Sequence, residues 1–255
     1  MNRRIAGLQP TALARLSYPG TQFFITGGDK TSVVSLGEVA VALFSGGIDS
    51  PVACALVGRR MEIVPLYFNT YPYASRESVE AVFESMKRLK SVCGFSRAFV
   101  VPWRDVMDRI ARDLRWKEYT CVLCKRAMLR GAELLCDRIG ASAIVTGDSL
   151  GQKASQTLEN LAAISHGIRY PILRPLLGLD KTEIEALSRK LGLWLERHAG
   201  GCTAVPKRPR TESRPEVLNR LFGELGLEAG IRSALGRCAE VRSLRSVSDI
   251  FQEFK

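Results

Sequence analysis

The sequence predicts an α/β domain in which a parallel β-sheet is covered by helices on both faces. Short apolar segments alternate with amphipathic segments of helical period along the chain, a pattern typical of strands joined by crossover helices. The length of 255 residues is enough to bury roughly 70 to 75% of the unfolded surface in one large core. A glycine-rich loop between the first of these strands and its helix indicates a ligand site at the carboxyl edge of the sheet.

Hydrophobic periodicity locates the individual elements. Apolar runs predict strands at 39–44, 63–68, 98–101, 143–146 and 171–173. Segments of helical period predict helices at 51–60, 75–92, 103–116, 124–139, 155–164 and 180–191. Asp180 and Glu183 have the spacing of a capping box at the last of these helices. Because ligands bind beyond the carboxyl ends of parallel strands, we expect Ser45, Tyr67 and Thr146 near the site.

The most informative segment is SGGIDS at residues 45–50, which lies between the apolar run 39–44 and the helical run 51–57. Its two glycines allow a tight turn and let backbone N–H groups approach an anion. Its serines add hydroxyl donors, and the following helix N-terminus adds partial positive charge. The loop differs from the G-x-G-x-x-G fingerprint and from the GK[ST] phosphate loop. A phosphate-binding loop is the favoured interpretation, and an ordinary glycine turn is the alternative.

The chain is strongly basic, with a formal charge of +11 from 37 Lys and Arg against 26 Asp and Glu. Such an excess fits either contact with nucleic acid or a solvated surface. Clustering favours nucleic acid, because the cations concentrate in two C-terminal segments: Lys207, Arg208, Arg210 and Arg214, and then Arg232, Arg237, Arg242 and Arg245.

Targeting and membrane segments are not evident in the sequence. No run approaches the ~18 apolar residues of a membrane span. The basic start of the chain is not followed by the apolar region of a signal peptide. A cytoplasmic location without membrane attachment is therefore expected.

Seven cysteines, an odd number in a chain without a secretion signal, argue against a disulfide framework. Cys54, Cys93 and Cys136 fall in apolar helical patterns, which favours buried, inert thiols. Cys121 and Cys124 form a C-x-x-C pair, whose sulfurs can face one metal ion or support redox exchange. From the residues alone both interpretations stay open.

Further motifs follow the SGGIDS loop along the chain. They are CVLCKRAMLR at 121–130, TGDSLGQKASQTLENL at 146–161, PILRPL at 171–176, DKTEI at 180–184 and GCTAVPKRP at 201–209. In this order and spacing they resemble the catalytic domain of the tRNA 4-thiouridine synthetase family, whose members are also called thiamine-biosynthesis sulfurtransferases. The resemblance spans about residues 39–209 and includes the SGGxDS loop (PP-loop) of ATP pyrophosphatases.

The resemblance implies a five-stranded parallel sheet of the adenine-nucleotide α-hydrolase type, with strand order 3-2-1-4-5. It also implies ATP-dependent tRNA thiolation, in which ATP with Mg²⁺ adenylates a uridine carbonyl oxygen and sulfur displaces AMP. A link to thiazole sulfur transfer in thiamine biosynthesis follows from the same family. The alternatives are another PP-loop enzyme, either a tRNA 2-thiolation enzyme or an amide-forming ligase, and a nucleotide-binding or sulfur-carrier subunit that needs a partner.

Nucleotide-binding residues carry over from the family at the matching motif positions. The loop residues are expected to hold the β and γ phosphates, with Asp49 also binding Mg²⁺. Lys125 and Arg126 are expected to neutralise the α-phosphate. Core packing is an almost equal alternative for the aromatic pair Tyr67 and Phe68. The full set is Leu43, Phe44, Ser45, Gly46, Gly47, Asp49, Ser50, Tyr67, Phe68, Lys125, Arg126, Gly147 and Gln156.

Other motif positions carry weaker expectations. Asp148 stands where many relatives have Glu, which is one methylene longer. Lys181 is expected to support the phosphate region, and Ser155 and Thr157 are secondary candidates for nucleotide contacts.

Cys202 is the sulfur-carrying cysteine that the resemblance implies, so the expected catalytic set is Cys202, Asp49 and Lys125. In relatives with the C-x-x-C pair, Cys121, Cys124 and Cys202 look like ligands of an iron-sulfur cluster, 4Fe-4S or 3Fe-4S. Three thiolates would leave one iron of a 4Fe-4S cluster open to sulfide. The alternatives are a redox trio with a persulfide on Cys202, and a structural zinc ion.

The same family suggests the domain organisation. Residues 1–36 are expected to form an N-terminal arm, 37–200 the PP-loop domain, and 201–255 a basic segment packed on it, with no THUMP or rhodanese domain. Expected partners are therefore tRNA and a sulfur donor, which would be a cysteine desulfurase, a rhodanese or free sulfide. A separate THUMP-type RNA-binding protein and a second copy of the chain are further candidates.

Overall fold

The computed structural model describes residues 16–18, 21–26, 38–196 and 200–246. The strands within these residues are β1 Leu16–Tyr18, β2 Thr21–Thr26, β3 Val39–Leu43, β4 Glu62–Asn69, β5 Ala98–Pro102, β6 Ala143–Val145, β7 Ile172–Arg174 and β8 Ala239–Val241. They form one sheet in the order β1-β2-β7-β6-β3-β4-β5-β8. The N-terminal arm predicted at 1–36 lies mostly outside the described residues.

The helices are α1 Asp49–Val57, α2 Arg76–Cys93, α3 Arg104–Arg112, α4 Thr120–Ile139, α5 Leu158–Ser165, α6 Lys181–Lys190, α7 Pro215–Glu224 and α8 Leu227–Gly236. Short 3₁₀ turns cover Leu114–Tyr119 and Ala154–Gln156. In the described part of the chain, every helix is too short or too polar to span a bilayer.

Five central strands, β5-β4-β3-β6-β7, are parallel and have the predicted order 3-2-1-4-5. Val41 in β3 lies in register with Val64 on one side and Ile144 on the other. The sheet as a whole is mixed, because β2 joins β7 and β8 joins β5 in antiparallel pairs. The parallel core of the prediction is confirmed, and the antiparallel edge strands extend it.

Helices cover both faces of the sheet, and the strand residues alternate between two cores. Val41 packs in one core with residues of α3, α4, α5, α7 and α8. Its neighbours Ala40 and Ala42 pack in the other core with residues of α1, α2 and α6. This alternation follows from the two-residue period of a strand, and it explains why β3 is apolar throughout.

Local capping corrects several predicted helix boundaries. The helix predicted at 103–116 ends at Arg112, because Asp113 is extended and its carboxylate accepts from the backbone N–H of Arg115 at 3.1 Å. The helix predicted at 155–164 begins at Leu158, because the Thr157 hydroxyl caps it. The helix predicted at 124–139 begins at Thr120, so the whole C-x-x-C pair is helical.

The capping box predicted for α6 is confirmed. The Asp180 carboxylate accepts from the backbone N–H of Glu183 at 2.9 Å, and the Glu183 carboxylate accepts from the backbone N–H of Asp180 at 2.8 Å. Reciprocal bonds of this kind satisfy donors that a helix start leaves open. They fix the start of α6 close to the carboxyl edge of β7.

Gly131 lies where α4 packs closely on the sheet. A Cβ at this position would lie 3.0 Å from Cε1 and Cζ of Phe68, whose ring packs on Trp103 at a centroid distance of 4.3 Å. Overpacking costs about 1–3 kcal/mol, against up to about 1 kcal/mol gained in helix propensity. We expect Gly131→Ala to lower the free energy of unfolding by about 1 kcal/mol in urea titrations.

Gly223→Ala is the matched control, because a Cβ at Gly223 in α7 would have no atom within 4 Å. There the helix-propensity gain acts alone, so the free energy of unfolding should rise by about 0.5–1 kcal/mol. Equal stabilisation by both substitutions would contradict the close packing of α4 on β4.

Candidate functional site

A cavity of about 310 Å³ opens at the carboxyl edge of the parallel strands, a size within the range of small-molecule sites. Gly46, Gly47 and Cys121 adjoin the lining residues in sequence without lining the cavity themselves. The structure brings most of the predicted site residues to its wall: Leu43, Phe44, Ser45, Asp49, Ser50, Tyr67, Phe68, Cys124, Lys125, Gly147, Gln156 and Cys202.

The loop between β3 and α1 closes on itself through its two serines. The backbone N–H of Ser45 donates to Ser50 Oγ at 3.0 Å, and the two hydroxyl oxygens lie 3.3 Å apart. Ile48, the N-cap residue of α1, makes no side-chain capping bond, so its side chain satisfies none of the first donors of the helix. A helix start of this kind carries partial positive charge and favours an anion.

Two glycines allow this loop to pack closely against its neighbours. Gly46 has a φ of +67°, and a Cβ there would lie 2.6 Å from Cγ2 and 2.7 Å from Cα of Val82 in α2. A Cβ on Gly147 would lie 2.8 Å from the backbone nitrogen of Ser50. The loop is therefore held between α2 and the segment after β6 at distances that leave no room for a side chain.

Lys125 extends from α4 to the cavity wall and pairs with Asp148. The distance from Lys125 Nζ to Asp148 Oδ1 is 2.6 Å. The other oxygen, Oδ2, accepts from Thr146 Oγ1 at 2.8 Å and from Arg174 Nε at 3.4 Å. Burial disfavours the charged carboxylate, but Lys125, Arg174 and Thr146 outweigh it and hold the pKa of Asp148 below its usual value. Asp148 is therefore ionised at neutral pH.

Asp49 occupies the start of α1 and also lines the cavity. Its carboxylate oxygen Oδ1 lies 3.1 Å from Nζ of Lys181, the lysine of the DKTEI motif. Oxygen ligands of this type suit Mg²⁺, which commonly binds one or two carboxylates together with substrate phosphates. Lys181 thus lies beside the loop, as the sequence predicts.

Cys124 and Cys202 line the cavity, and Cys121 lies three residues before Cys124 on the same helix. Cys121 and Cys124 lie near the start of α4, and all three thiols are partly buried. Burial raises the pKa of each thiol, to about 12 for Cys124, and the nearby Cys202 raises the pKa values of the other two further. Among the described residues, no three His, Cys, Asp or Glu side chains are grouped closely enough to hold a metal ion. The sulfurs are neighbours rather than a preformed metal site.

Tyr67 and Phe68 at the end of β4 line the cavity and also belong to the two cores. Only 5% of Tyr67 and 4% of Phe68 is exposed. Tyr67 lies edge-on to Phe83, with ring centroids 6.5 Å apart, and burial raises the pKa of its hydroxyl. Core packing, the alternative interpretation of this pair, is therefore present in the structure beside its place at the cavity wall.

Arg126, which was expected to neutralise the α-phosphate together with Lys125, does not line the cavity. Its guanidinium donates to the backbone carbonyls of Ala163 and His166 at 2.9 and 3.1 Å, and it also bonds to Asn219. Consecutive residues on a helix point about 100° apart, so Arg126 leaves α4 in a different direction from Lys125. Arg126 instead ties α4 to α5 and α7.

Several residues at the site were not found from the sequence. Arg174 ends β7 and is 1% exposed, and the signal for it is a lone arginine in the otherwise apolar PILRPL motif. Lys153 lines the cavity and is exposed. Gly200 donates its backbone N–H to Ser78 Oγ at 2.9 Å, a contact across 122 residues that no local pattern indicates.

We call residues 203–214 the basic strap. Its start is held by the backbone N–H of Thr203, which donates to Tyr73 O at 2.8 Å. Farther along, the N–H of Arg210 donates to Glu118 O at 2.9 Å, and Thr211 O accepts from Thr157 Oγ1 at 2.6 Å. The strap therefore leads from Cys202 at the cavity toward α5, with four exposed cations along it: Lys207, Arg208, Arg210 and Arg214.

Curated relatives of this chain are named probable tRNA sulfurtransferases. The one from Methanothermobacter thermautotrophicus is 40% identical over 209 residues, which cover 79% of this chain and 53% of that protein. The one from Thermus thermophilus is 40% identical over 203 residues, covering 76% and 49%. The one from Acetivibrio thermocellus is 36% identical over 201 residues, covering 77% and 51%. This chain spans about half the length of these relatives.

A solved structure with a similar fold is a 4-thiouridine synthetase–RNA complex with bound ATP. It has a TM-score of 0.71 and 31% identity, and covers 80% of this chain and 55% of that chain. NMN synthetase from Francisella tularensis, at 13% identity and a TM-score of 0.50, shares the fold alone. The profile of the family described as thiamine biosynthesis protein (ThiI) matches residues 35–227, a range that includes the loop, α4 and the basic strap. The chain therefore belongs to the thiamine biosynthesis protein (ThiI) family.

Proposed function

We propose that this chain is the ATP-using catalytic domain of a tRNA sulfurtransferase that converts a tRNA uridine to 4-thiouridine. The observation that carries the proposal is that an anion-binding loop, Lys125 and Cys202 all border one cavity. The names of the relatives and the ATP and RNA in the similar solved structure support it. A role in thiazole sulfur transfer is a second use of the same chemistry.

The cavity divides into parts that suit the parts of ATP. The β and γ phosphates bind at the loop and the start of α1, where backbone donors and helix charge favour an anion. Asp49 would hold the Mg²⁺ that accompanies ATP, and the ion would offset part of the phosphate charge. The adenosine lies along Leu43, Phe44, Tyr67 and Phe68 at the ends of β3 and β4, and Gly147 and Gln156 also line this cavity.

The first step is attack by the uridine O4 oxygen on the α-phosphorus of ATP, which breaks the bond to pyrophosphate. Lys125 lies at the cavity wall, where its ammonium offsets the negative charge that develops on the α-phosphate. The adenylated oxygen is then a good leaving group. A hydrosulfide adds to C4 of the base, the C–O bond breaks, and AMP departs with the original oxygen. The sum is uridine, ATP and hydrosulfide giving 4-thiouridine, AMP and pyrophosphate, with no net oxidation.

Cys121, Cys124 and Cys202 are the residues through which we propose that sulfur reaches the site. Cys124 and Cys202 line the cavity, Cys121 lies three residues before Cys124 in α4, and thiolates are the protein ligands that an iron-sulfur cluster takes. These are the cysteines that would hold such a cluster, although no three described side chains are grouped closely enough for a metal ion. When bound, the cluster supplies an open iron for inorganic sulfide. The competing source is a persulfide on Cys202, whose outer sulfur is transferred to C4. A second cysteine then forms a disulfide with Cys202 and releases the 4-thiouridine, and an external thiol reduces that disulfide.

The basic strap is the proposed contact for the tRNA backbone. Its four cations are exposed and begin five residues after Cys202, in a segment fixed to the domain by backbone hydrogen bonds. A tRNA held there would bring a flipped-out uridine toward the cavity. A separate THUMP-type protein or a second copy of the chain would extend this contact.

The direct test is formation of AMP and pyrophosphate from Mg-ATP with unmodified tRNA and sulfide under anaerobic conditions, with 4-thiouridine read by its near-ultraviolet absorbance. Asp49→Asn removes the charged metal ligand at constant size, so we expect kcat/KM to fall tenfold or more, which is about 1.4 kcal/mol of transition-state stabilisation.

Asp113→Asn is the control for that test, because Asp113 pairs with Arg115 in the turn after α3 and does not line the cavity. It should leave the rate unchanged. Normal rates for both variants would contradict the proposed role of Asp49 as a metal ligand. Absence of AMP from the wild-type protein with every substrate present would overturn the proposed function, whereas thiolation at C2 would indicate the other class of tRNA-thiolating enzyme.

The sulfur source is tested by anaerobic reconstitution with iron and sulfide. We expect broad absorption near ~400 nm from sulfur-to-iron charge transfer. It should be lost when Cys121, Cys124 or Cys202 is replaced by Ala and kept in Cys238→Ala, which changes a thiol outside this group. An iron-free protein that thiolates tRNA through a Cys202 persulfide would contradict the proposed cluster but leave the proposed sulfurtransferase function standing.

The basic strap is tested by changing its four cations together to Gln and measuring tRNA affinity against salt concentration. If each cation neutralises one phosphate, the slope of log K against log salt should fall by about 3, at 0.7 to 0.9 per contact. The control replaces Arg59, Arg60, Lys87 and Lys190, four exposed cations that do not line the cavity, with the same loss of net charge. Equal effects of both sets would assign the binding to overall charge instead of the strap.

A further inference from the structure

Arg174 is a buried charge that the reaction itself does not explain. It lies at the end of β7 with 1% of its side chain exposed. Its Nη2 donates to Ser165 Oγ at 2.8 Å, and its Nε donates to Asp148 Oδ2 at 3.4 Å. A buried ion pair is costly to desolvate, and an apolar side chain of similar volume often stabilises a fold as well or better. Its presence here therefore calls for a role other than packing.

Asp148 is the link between Arg174 and the cavity. One of its oxygens bonds to Lys125 and the other to Arg174. The side chain of Lys125 is 28% exposed at the cavity wall, whereas Asp148 is 9% exposed and Arg174 is 1% exposed. Charge thus runs from the cavity inward as plus, minus, plus.

The net charge of this group decides how it acts on a phosphate. Lys125 with Asp148 alone would be neutral, and a tightly paired lysine attracts an anion weakly. With Arg174 the three side chains sum to +1. The other close pair at the cavity, Lys181 with Asp49, sums to zero. In a low-dielectric site a single unit of net charge is worth far more than it is in water.

We propose that Arg174 is a positioning residue that acts through Asp148: it balances the Asp148 carboxylate, so that Lys125 stays held at the cavity wall and still attracts the α-phosphate. Asp148 fixes where the ammonium lies, and Arg174 prevents that fixation from cancelling its charge. The inference rests on the proposed function, because it takes the cavity to be the ATP site.

The experiment measures the Kd of Mg-ATP by calorimetry in the absence of tRNA, so that no turnover occurs. The charge sum is +1 for the wild type, zero for Arg174→Gln, and +1 again for the double variant Asp148→Asn with Arg174→Gln. We expect Arg174→Gln to weaken binding about tenfold or more. The double variant should bind within about threefold of the wild type, although it lacks both buried charges.

The control is Arg130→Gln, which removes an arginine from another buried carboxylate. Arg130 Nη1 lies 2.6 Å from Glu133 Oε2, and Glu133 is 1% exposed, but neither residue lines the cavity. Its thermal unfolding temperature should fall while its Kd for Mg-ATP stays within about twofold of the wild type. This separates loss of an internal ion pair from loss of charge at the site.

A folded Arg174→Gln variant that binds Mg-ATP with wild-type affinity would overturn the inference about Arg174 and leave the proposed function standing. So would a double variant that binds more weakly than Arg174→Gln, since a purely structural role makes losses accumulate. If Arg174→Gln does not fold, Asp148→Asn decides. Its charge sum is +2, so binding more than about threefold weaker than that of the wild type, the same allowance as for the double variant, contradicts the charge argument. Failure of the wild-type protein to bind Mg-ATP would overturn the proposed function together with this inference.

Discussion

The site depends on the close approach of two glycines to neighbouring backbone. Gly46 lies against Val82 of α2, and Gly147 lies against Ser50 at the start of α1, in both cases too close for a Cβ. These contacts hold the loop after β3 from two sides. The backbone donors of the loop are therefore organised by packing with α2 and the β6 segment, before any ligand arrives, which is what an anion site requires.

Around this loop, the parallel sheet gathers groups that lie far apart in sequence. The carboxyl ends of β3, β4 and β6 contribute the loop, the aromatic wall and the Asp148 group, and α4 contributes Lys125 and two cysteines. The segment that begins at Gly200 is fixed to Ser78 in α2 and brings Cys202 to the same cavity. The proposed adenylation and sulfur transfer would need reacting groups within one site, and this topology supplies that proximity.

The parallel centre of the sheet could be predicted from the sequence, because the alternation of strands and helices is a local signal. Its strand order was implied by the family resemblance that the motif series carries. Helix starts were less accurate, since they depend on which side chain caps, as Thr157 does for α5. α7, α8 and β8 lie beyond the motif series and were not predicted. Arg126 was expected beside the α-phosphate, whereas its guanidinium bonds to residues in and after α5 and in α7. The bond between Asp148 and Arg174 joins residues 26 apart, so only the folded chain reveals it.

The most direct test of the close packing around the loop after β3 is the Kd of Mg-ATP for the variants Gly46→Ala and Gly94→Ala. The two glycines have nearly equal φ angles, +67° and +66°, so backbone strain is matched, but only Gly46 has atoms within 4 Å of the added Cβ. Gly94 lies at the C-terminal end of α2. We expect Gly46→Ala to weaken Mg-ATP binding at least tenfold, about 1.4 kcal/mol, and Gly94→Ala to bind Mg-ATP as the wild type does. Equal affinities for the two folded variants would contradict the claim that close packing of the loop builds the nucleotide site.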